Sequence, residues 1–261
     1  MKTHLFLVML HNSGSTLLHN LIKTSKSVVT LPIEGDMLIR KEAKPFMNPI
    51  FWQYPRIFSE IADKFEDPES YNWKGIKQFW KSYWKKDPRY QNLVKRKLPI
   101  VFLEKSSPNI YRAELLEKEF ENSHFLVVTR NPYAIIEGTR RRMAKKNYGI
   151  ERITEHCLKA MEKQAQDIAE LKQVIWFSYE DLCDKTKEVK EKIKSFIPTL
   201  SDINIAASFK IHSLEGRKSK PIANFNVKQI AKLSKGELIK INKILGKKES
   251  LLNSFGYAII E

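Results

Sequence analysis

The sequence predicts an α/β fold built on a parallel sheet. Three short, almost wholly apolar runs carry that prediction: His4–Leu10, Ile100–Leu103 and Phe125–Val128. A fourth, Val174–Phe177, follows a long helical stretch. Runs this apolar suit strands buried on both faces, and each leads into or out of a helix-period segment, the rhythm of βα units. The composition agrees: 261 residues, 42% hydrophobic, 29% charged and 11% aromatic, suit one globular domain spanning 1–261.

The first run has the length of a short signal-peptide core. It lacks an Ala-x-Ala-like exit, however, and passes directly into His11-Asn-Ser-Gly-Ser-Thr16. It is read as the first strand, and the chain is expected in the cytoplasm. Helical periodicity follows at Thr16–Thr24, Ile110–Glu121, Ala134–Lys145, Thr154–Leu171, Lys185–Ile197, Val227–Leu233 and Lys235–Leu245. Pro108 opens the second of these, and Asp181–Asp184 offers capping groups before the fifth. Residues 43–92 break the rhythm and hold four of the five tryptophans. They are read as a helical insert whose aromatics serve either as ordinary core or as the lining of an acceptor cleft.

The net charge of +16 calls for an anionic partner. Residues 184–248 alone hold 16 Lys or Arg against 6 Asp or Glu, and most of those lysines are expected on solvated helix faces. No nucleic-acid motif accompanies them, so nucleic acid is not expected as a partner. Two cysteines, Cys157 and Cys183, make no disulfide framework and no zinc cluster, and no metal is expected. No apolar run approaches the roughly 18–20 residues that cross a bilayer.

The strongest chemical signal is strand, turn and helix around His11, Asn12, Ser13, Gly14, Ser15 and Thr16. Gly14 allows close backbone approach, and the three hydroxyls add donors to the free N–H groups of a helix start. That combination makes a nest for a phosphate or sulfate. A Walker A loop would need Lys where Ser15 stands, so nucleoside triphosphate hydrolysis is disfavoured. A second strand end delivers Arg130, ahead of Pro132 and the next helix, where a guanidinium forks onto phosphate. Glu104–Pro108 and Ser178–Leu182 are two further strand-end segments.

His11–Thr16, Glu104–Pro108, Thr129–Ala134 and Tyr179–Leu182, in this order and spacing, resemble the sulfotransferases that use 3′-phosphoadenosine 5′-phosphosulfate (PAPS). The tail is similar too, at Lys220-Pro221, Leu233-Ser234 and Ser254–Tyr257. The chain looks like the bacterial branch akin to tyrosylprotein and carbohydrate sulfotransferases. The resemblance implies a three-layer α/β/α fold related to P-loop nucleotide kinases, and in-line sulfuryl transfer from PAPS to an unidentified acceptor. It implies that His11–Thr16 cradle the 5′-phosphosulfate, that Arg130 holds the 3′-phosphate, that Tyr179 lies against adenine and that Lys220 reaches the donor phosphates. The family's serine eight residues beyond the arginine is Gly138 here, so either Thr139 or the Gly138 N–H takes its place. The family's Lys or Arg before Ser-Gly is Asn12, which brings no charge to the leaving group. Lys105 is therefore expected to carry more of that work, with His11 as a helper. Family members place a glutamate after the second strand, and Val28–Glu34 fits, making Glu34 the expected base and Glu104 the runner-up. A kinase-like phosphotransferase, a nucleic-acid binder and a donor-binding homologue without activity are the competing classes.

Overall fold

The computed structural model describes residues 2–53, 56–146, 148–213 and 216–260, with 210–220 described for backbone only. Five parallel strands form the central sheet: β1 (Lys2–Val8), β2 (Val28–Thr30), β3 (Ile100–Lys105), β4 (Ser123–Thr129) and β5 (Val174–Ser178). Their order is β2-β3-β1-β4-β5. The chain steps from β1 over β3 to β2, then turns and crosses the sheet towards β5. Because parallel crossovers are right-handed, the first step places its helix on one face and the later steps place theirs on the other.

Helix α1 (Ser15–Ile22) therefore packs on one face. It is joined there, after the last strand, by α9 (Tyr179–Asp184) and α10 (Thr186–Phe196). The opposite face carries α2 (Gly35–Glu42), α3 (Ala62–Glu66), α4 (Trp73–Trp84), α5 (Pro88–Lys95), α6 (Asn109–Glu119), α7 (Pro132–Arg142) and α8 (Ile150–Glu170). After a two-stranded antiparallel ribbon of β6 (Phe209–Ser213) and β7 (Gly216–Lys220), the chain ends in α11 (Asn226–Ile230), α12 (Lys235–Leu245) and α13 (Glu249–Ser254). Residues of β1 alternate between the faces. Leu5, Leu7 and Met9 join the α1 side, and Phe6, Val8 and Leu10 the α8 side. This double burial is why the strand reads as a continuous apolar run.

Two expectations are refined. Asp181–Asp184 do not cap α10, which starts after Lys185 without a side-chain cap. They form their own helix, α9, capped by the Ser178 hydroxyl accepting from the Asp181 N–H. The aromatic insert serves mainly as core. Trp73, Trp80 and Trp84 recur along one stripe of α4 and are buried, Trp80 stacking on Phe120 at 5.7 Å and Trp84 against Phe102 at 4.7 Å. The long helix α8 starts one turn before its predicted limit and contributes Gln164, whose Nε2 donates to the carbonyls of Val8 (3.2 Å) and Val128 (2.9 Å). One buried amide thus clips together the carboxyl ends of β1 and β4. Among the described residues no helix is long and apolar enough to cross a membrane.

Helix α8 also buries Asp167, whose carboxyl oxygens find no hydrogen-bond partner, with Lys163 Nζ 3.8 Å away. Burial raises its pKa to about 8, against the pull of Lys163 and with Glu114, Glu170 and Glu66 adding to the rise. A carboxyl raised in the folded state binds a proton that the unfolded chain has released, so stability is lost as pH climbs from about 4 to about 8. Thermal unfolding of Asp167→Asn should track wild type at pH 5. Its stability relative to wild type should improve at pH 9 by at least ~1.4 kcal/mol, the worth of one pKa unit.

Candidate functional site

The sheet reverses its winding around β1, so the carboxyl ends of β1, β3 and β4 open a crevice, the usual ligand position in such sheets. The turn from Met9 to Gly14 fills its floor. Asn12 (φ 66°) and Gly14 (φ 90°) both adopt left-handed backbone. Ser13 folds inwards, its N–H reaching the Leu10 carbonyl at 3.3 Å and its hydroxyl donating to the same oxygen. The Ser13 hydroxyl is therefore a brace within the turn and not an outward donor. Helix α1 begins at Ser15 with no side-chain cap, and its first bonded N–H is that of Leu18, to the Gly14 carbonyl at 3.0 Å. The N–H groups of Ser15, Thr16 and Leu17 precede it, unbonded within the helix and placed for an anion. Ser15 is half-buried and Thr16 exposed, so their hydroxyls stand at the open side.

Arg130, 5% exposed, lies at the turn's flank and binds it to two other parts of the chain. Its Nη1 donates to the Asn12 carbonyl at 2.5 Å, its Nε to Asn226 Oδ1 at 2.8 Å, and its Nη2 to Gln229 Oε1. The guanidinium also stacks on the Tyr179 ring, 4.0 Å from its centroid. Tyr179 lies directly over Gly14: a Cβ there would sit 2.5 Å from its ring. Its hydroxyl donates to the Ala223 carbonyl at 3.1 Å. The Asn12 side chain turns away towards α7, donating to the Thr139 hydroxyl at 2.9 Å and packing on Gly138. Asn12 and Thr139 satisfy one another. Lys220 closes β7, and its side chain lies outside the described residues.

Across the crevice Glu34 meets Lys105, Oε1 to Nζ at 2.8 Å, with both side chains partly open to solvent. Glu34 occupies the N-cap position of α2 but makes no cap bond, so its carboxylate faces the crevice cation instead. A buried network holds this helix start in place. Glu104 Oε1 accepts from the Gly35 N–H (3.0 Å) and the Ser106 hydroxyl (2.5 Å), and Oε2 from Asn109 Nδ2 (2.7 Å). Ser106 Oγ accepts from the Asp36 N–H at 3.1 Å, and Asp36 pairs with Arg112 at 2.6 Å. Glu104 is 1% exposed and its pKa is raised by burial. With three donors already on it and 1% of its surface exposed, it braces the start of the helix that carries Glu34.

His11 Nδ1 lies 2.8 Å from the Ser107 hydroxyl, and its ring meets Phe58 edge-on at 5.7 Å. Burial holds its pKa well below the usual imidazole range, and Arg56, His156, Lys105 and Arg142 press it the same way. His11 is therefore neutral at neutral pH and adds no charge to the site.

The fold thus gathers His11–Thr16, Arg130, Gly138, Thr139 and Tyr179 in one group, and Glu34 with Lys105 in another. Ser107, Asp36, Arg112, Asn226 and Gln229 were not visible as partners in the sequence. Their polar types are common and their partners lie up to 99 residues away. Gly14→Ala combines a left-handed backbone position, costing roughly 1–2 kcal/mol, with the 2.5 Å collision against Tyr179. It should lower the melting temperature, and adding Tyr179→Ala should recover the collision part alone. Equal stability of Gly14→Ala and wild type would contradict this packing.

A family model described as the sulfotransferase family matches residues 5–198. No curated protein matches the sequence significantly. Solved structures that share the fold include three sulfotransferases. A sulfotransferase domain from the curacin biosynthetic pathway is 17% identical with a TM-score of 0.53, covering 100% of this chain and 99% of that one. A sulfotransferase domain from the Synechococcus PCC 7002 olefin synthase is 16% identical with a TM-score of 0.51, covering 94% of each chain. A sulfotransferase from Alicyclobacillus acidocaldarius is 10% identical with a TM-score of 0.58, covering 98% of this chain and 97% of that one.

Proposed function

The chain belongs to the sulfotransferase family, and from that premise we propose that it transfers a sulfuryl group from PAPS, in line, to a hydroxyl or amine of an acceptor. Carbohydrates, tyrosyl peptides and small molecules are the acceptor classes in view. The observation that carries the reading is the Glu34–Lys105 pair at 2.8 Å, at the strand ends that also carry the glycine turn and Arg130. The donor supplies the activated sulfuryl group and leaves as adenosine 3′,5′-bisphosphate.

The chain's own residues divide the work. The N–H groups of Ser15, Thr16 and Leu17, with the hydroxyls of Ser15 and Thr16, hold the 5′ end of the donor. Asn12 and Ser13 shape the turn from within. Arg130 holds the 3′-phosphate with Thr139 and Gly138 nearby, Tyr179 faces the adenine, and Lys220 is assigned to the donor phosphates on the family resemblance. Glu34 Oε1 accepts the acceptor's proton as the new bond to sulfur forms. Lys105 sets its charge against the negative charge that develops on the leaving side. No metal is part of this scheme. One observation favours a second reading, a donor-binding homologue without turnover. Asn12 stands where the family has a cation, and its uncharged amide is turned towards Thr139.

Calorimetry with adenosine 3′,5′-bisphosphate, ATP and AMP, without metal, tests the donor. The bisphosphate should bind at least tenfold tighter, about 1.4 kcal/mol, and Arg130→Ala should erase that preference. Equal affinity for all three nucleotides would sink the assignment. For the transfer step, Glu34→Gln should abolish turnover with donor affinity within about twofold, since one neutral amide replaces the accepting carboxylate. Lys105→Ala should slow turnover more than it weakens donor binding. Donor binding with no turnover on any acceptor would support the second reading.

A further inference from the structure

Gly138 brings no side chain to the part of α7 that faces Asn12, and the space is filled from the tail. A Cβ on Gly138 would lie 3.1 Å from the Asn12 Cβ and 3.4 Å from Gln229 Nε2. Gln229 is buried and its amide is oriented at both ends. Its Oε1 accepts from Arg130 Nη2, and its Nε2 donates to Glu137 Oε2 at 3.1 Å. Glu137 is itself buried and held by Arg141 at 2.9 Å, and a carboxylate there can only accept. The amide nitrogen, not its oxygen, must therefore face that side.

Around Arg130 stand donors that, among the described residues, keep hydrogens without acceptors. An amide nitrogen carries two hydrogens, and one on Gln229 Nε2 has no acceptor among the described residues. Asn226 Nδ2 likewise spends one hydrogen on Glu180 and keeps one. A guanidinium carries five N–H groups, of which Arg130 spends three, leaving one on each terminal nitrogen. Buried N–H groups without acceptors cost free energy, and an anion seated against Arg130 would relieve several together.

We propose that Gln229, reaching in from α11, determines donor specificity by hydrogen-bonding the 3′-phosphate beside Arg130, in the place that a side chain at 138 would otherwise take. The inference rests on the sulfotransferase reading above. Arg130 supplies the charge, Gln229 supplies a directed neutral donor, and Glu137 fixes which end of the amide is presented. A nucleotide without the 3′-phosphate leaves these donors unmet, so the contribution of Gln229 appears as discrimination between nucleotides and not as general affinity.

Calorimetry on the full chain with adenosine 3′,5′-bisphosphate and with AMP tests it. Gln229→Leu should lose about tenfold in bisphosphate affinity while AMP binding stays within about twofold. Gln229→Glu, of equal size, should lose more, because its carboxylate meets both Glu137 and the phosphate. Adding Gly138→Ser to Gln229→Leu should restore part of the loss by placing a hydroxyl in the same space. Bisphosphate binding by Gln229→Leu equal to or tighter than wild type would overturn the proposal, since Gln229 would then be a placeholder that the phosphate displaces. An equal loss for both nucleotides would overturn it too, as a packing effect. Failure of the underlying reading looks different: wild type itself would show no preference for the bisphosphate, which removes the premise and this inference with it.

Discussion

The buried guanidinium of Arg130 is the joint on which the site depends. A charge at 5% exposure is tolerated only when the protein replaces the water it has lost, and here three acceptors and an aromatic face do so. The partners come from three parts of the chain: Asn12 from the turn after β1, Tyr179 from the start of α9, Asn226 and Gln229 from α11. Satisfying one side chain therefore forces a turn, a strand end and a tail helix to meet. Burial lowers the Arg130 pKa and Glu180 nearby opposes that shift, so the cation persists at the crevice.

The second half of the site is positioned by a different device. Glu34 occupies the first position of a short helix, a place that would fray if the helix start were free. Glu104 and Ser106 accept the N–H groups of Gly35 and Asp36, and Arg112 ties the Asp36 carboxylate from behind. Gly35 makes this approach feasible, because a Cβ there would fall 2.6 Å from the Trp80 ring and 2.7 Å from Glu104. The tryptophan stripe of the insert thus bears on the chemistry indirectly, as the wall against which the Glu34 backbone is pressed.

Charge is distributed unevenly around this frame. Arg56, Lys105, Arg142 and Arg130 lie close enough to influence His11 or one another. Their shared field, added to burial, keeps His11 neutral, and the same burial effect brings His156 beneath Phe58 to about 4. The site therefore concentrates positive charge in arginine and lysine, where it survives desolvation. Within the lysine-rich stretch, Lys185 and Lys194 pair with carboxylates four and three positions earlier, Asp181 and Glu191. Such exposed pairs contribute little.

Four of the five strands were legible because a strand buried on both faces leaves an unbroken apolar run, and a helix leaves a period, each written in neighbouring residues; β2, three residues long, leaves too short a run to stand out. The glycine turn and Arg130 at its strand end were legible for the same local reason, whereas Glu34 was singled out only by the family resemblance. The sequence determined, by itself, which runs become buried parallel strands and which residue types stand at their carboxyl ends, and the order in which those strands pair came from the tertiary structure. Only the tertiary structure decided that Asn12 serves Thr139, that Ser13 braces its own turn, that Glu104 is a support and Glu34 the open carboxylate, and that two amides from α11 share Arg130. Those outcomes depend on contacts between residues as many as 127 positions apart, and a hydrogen bond across such a distance has no period, spacing or composition by which to announce itself.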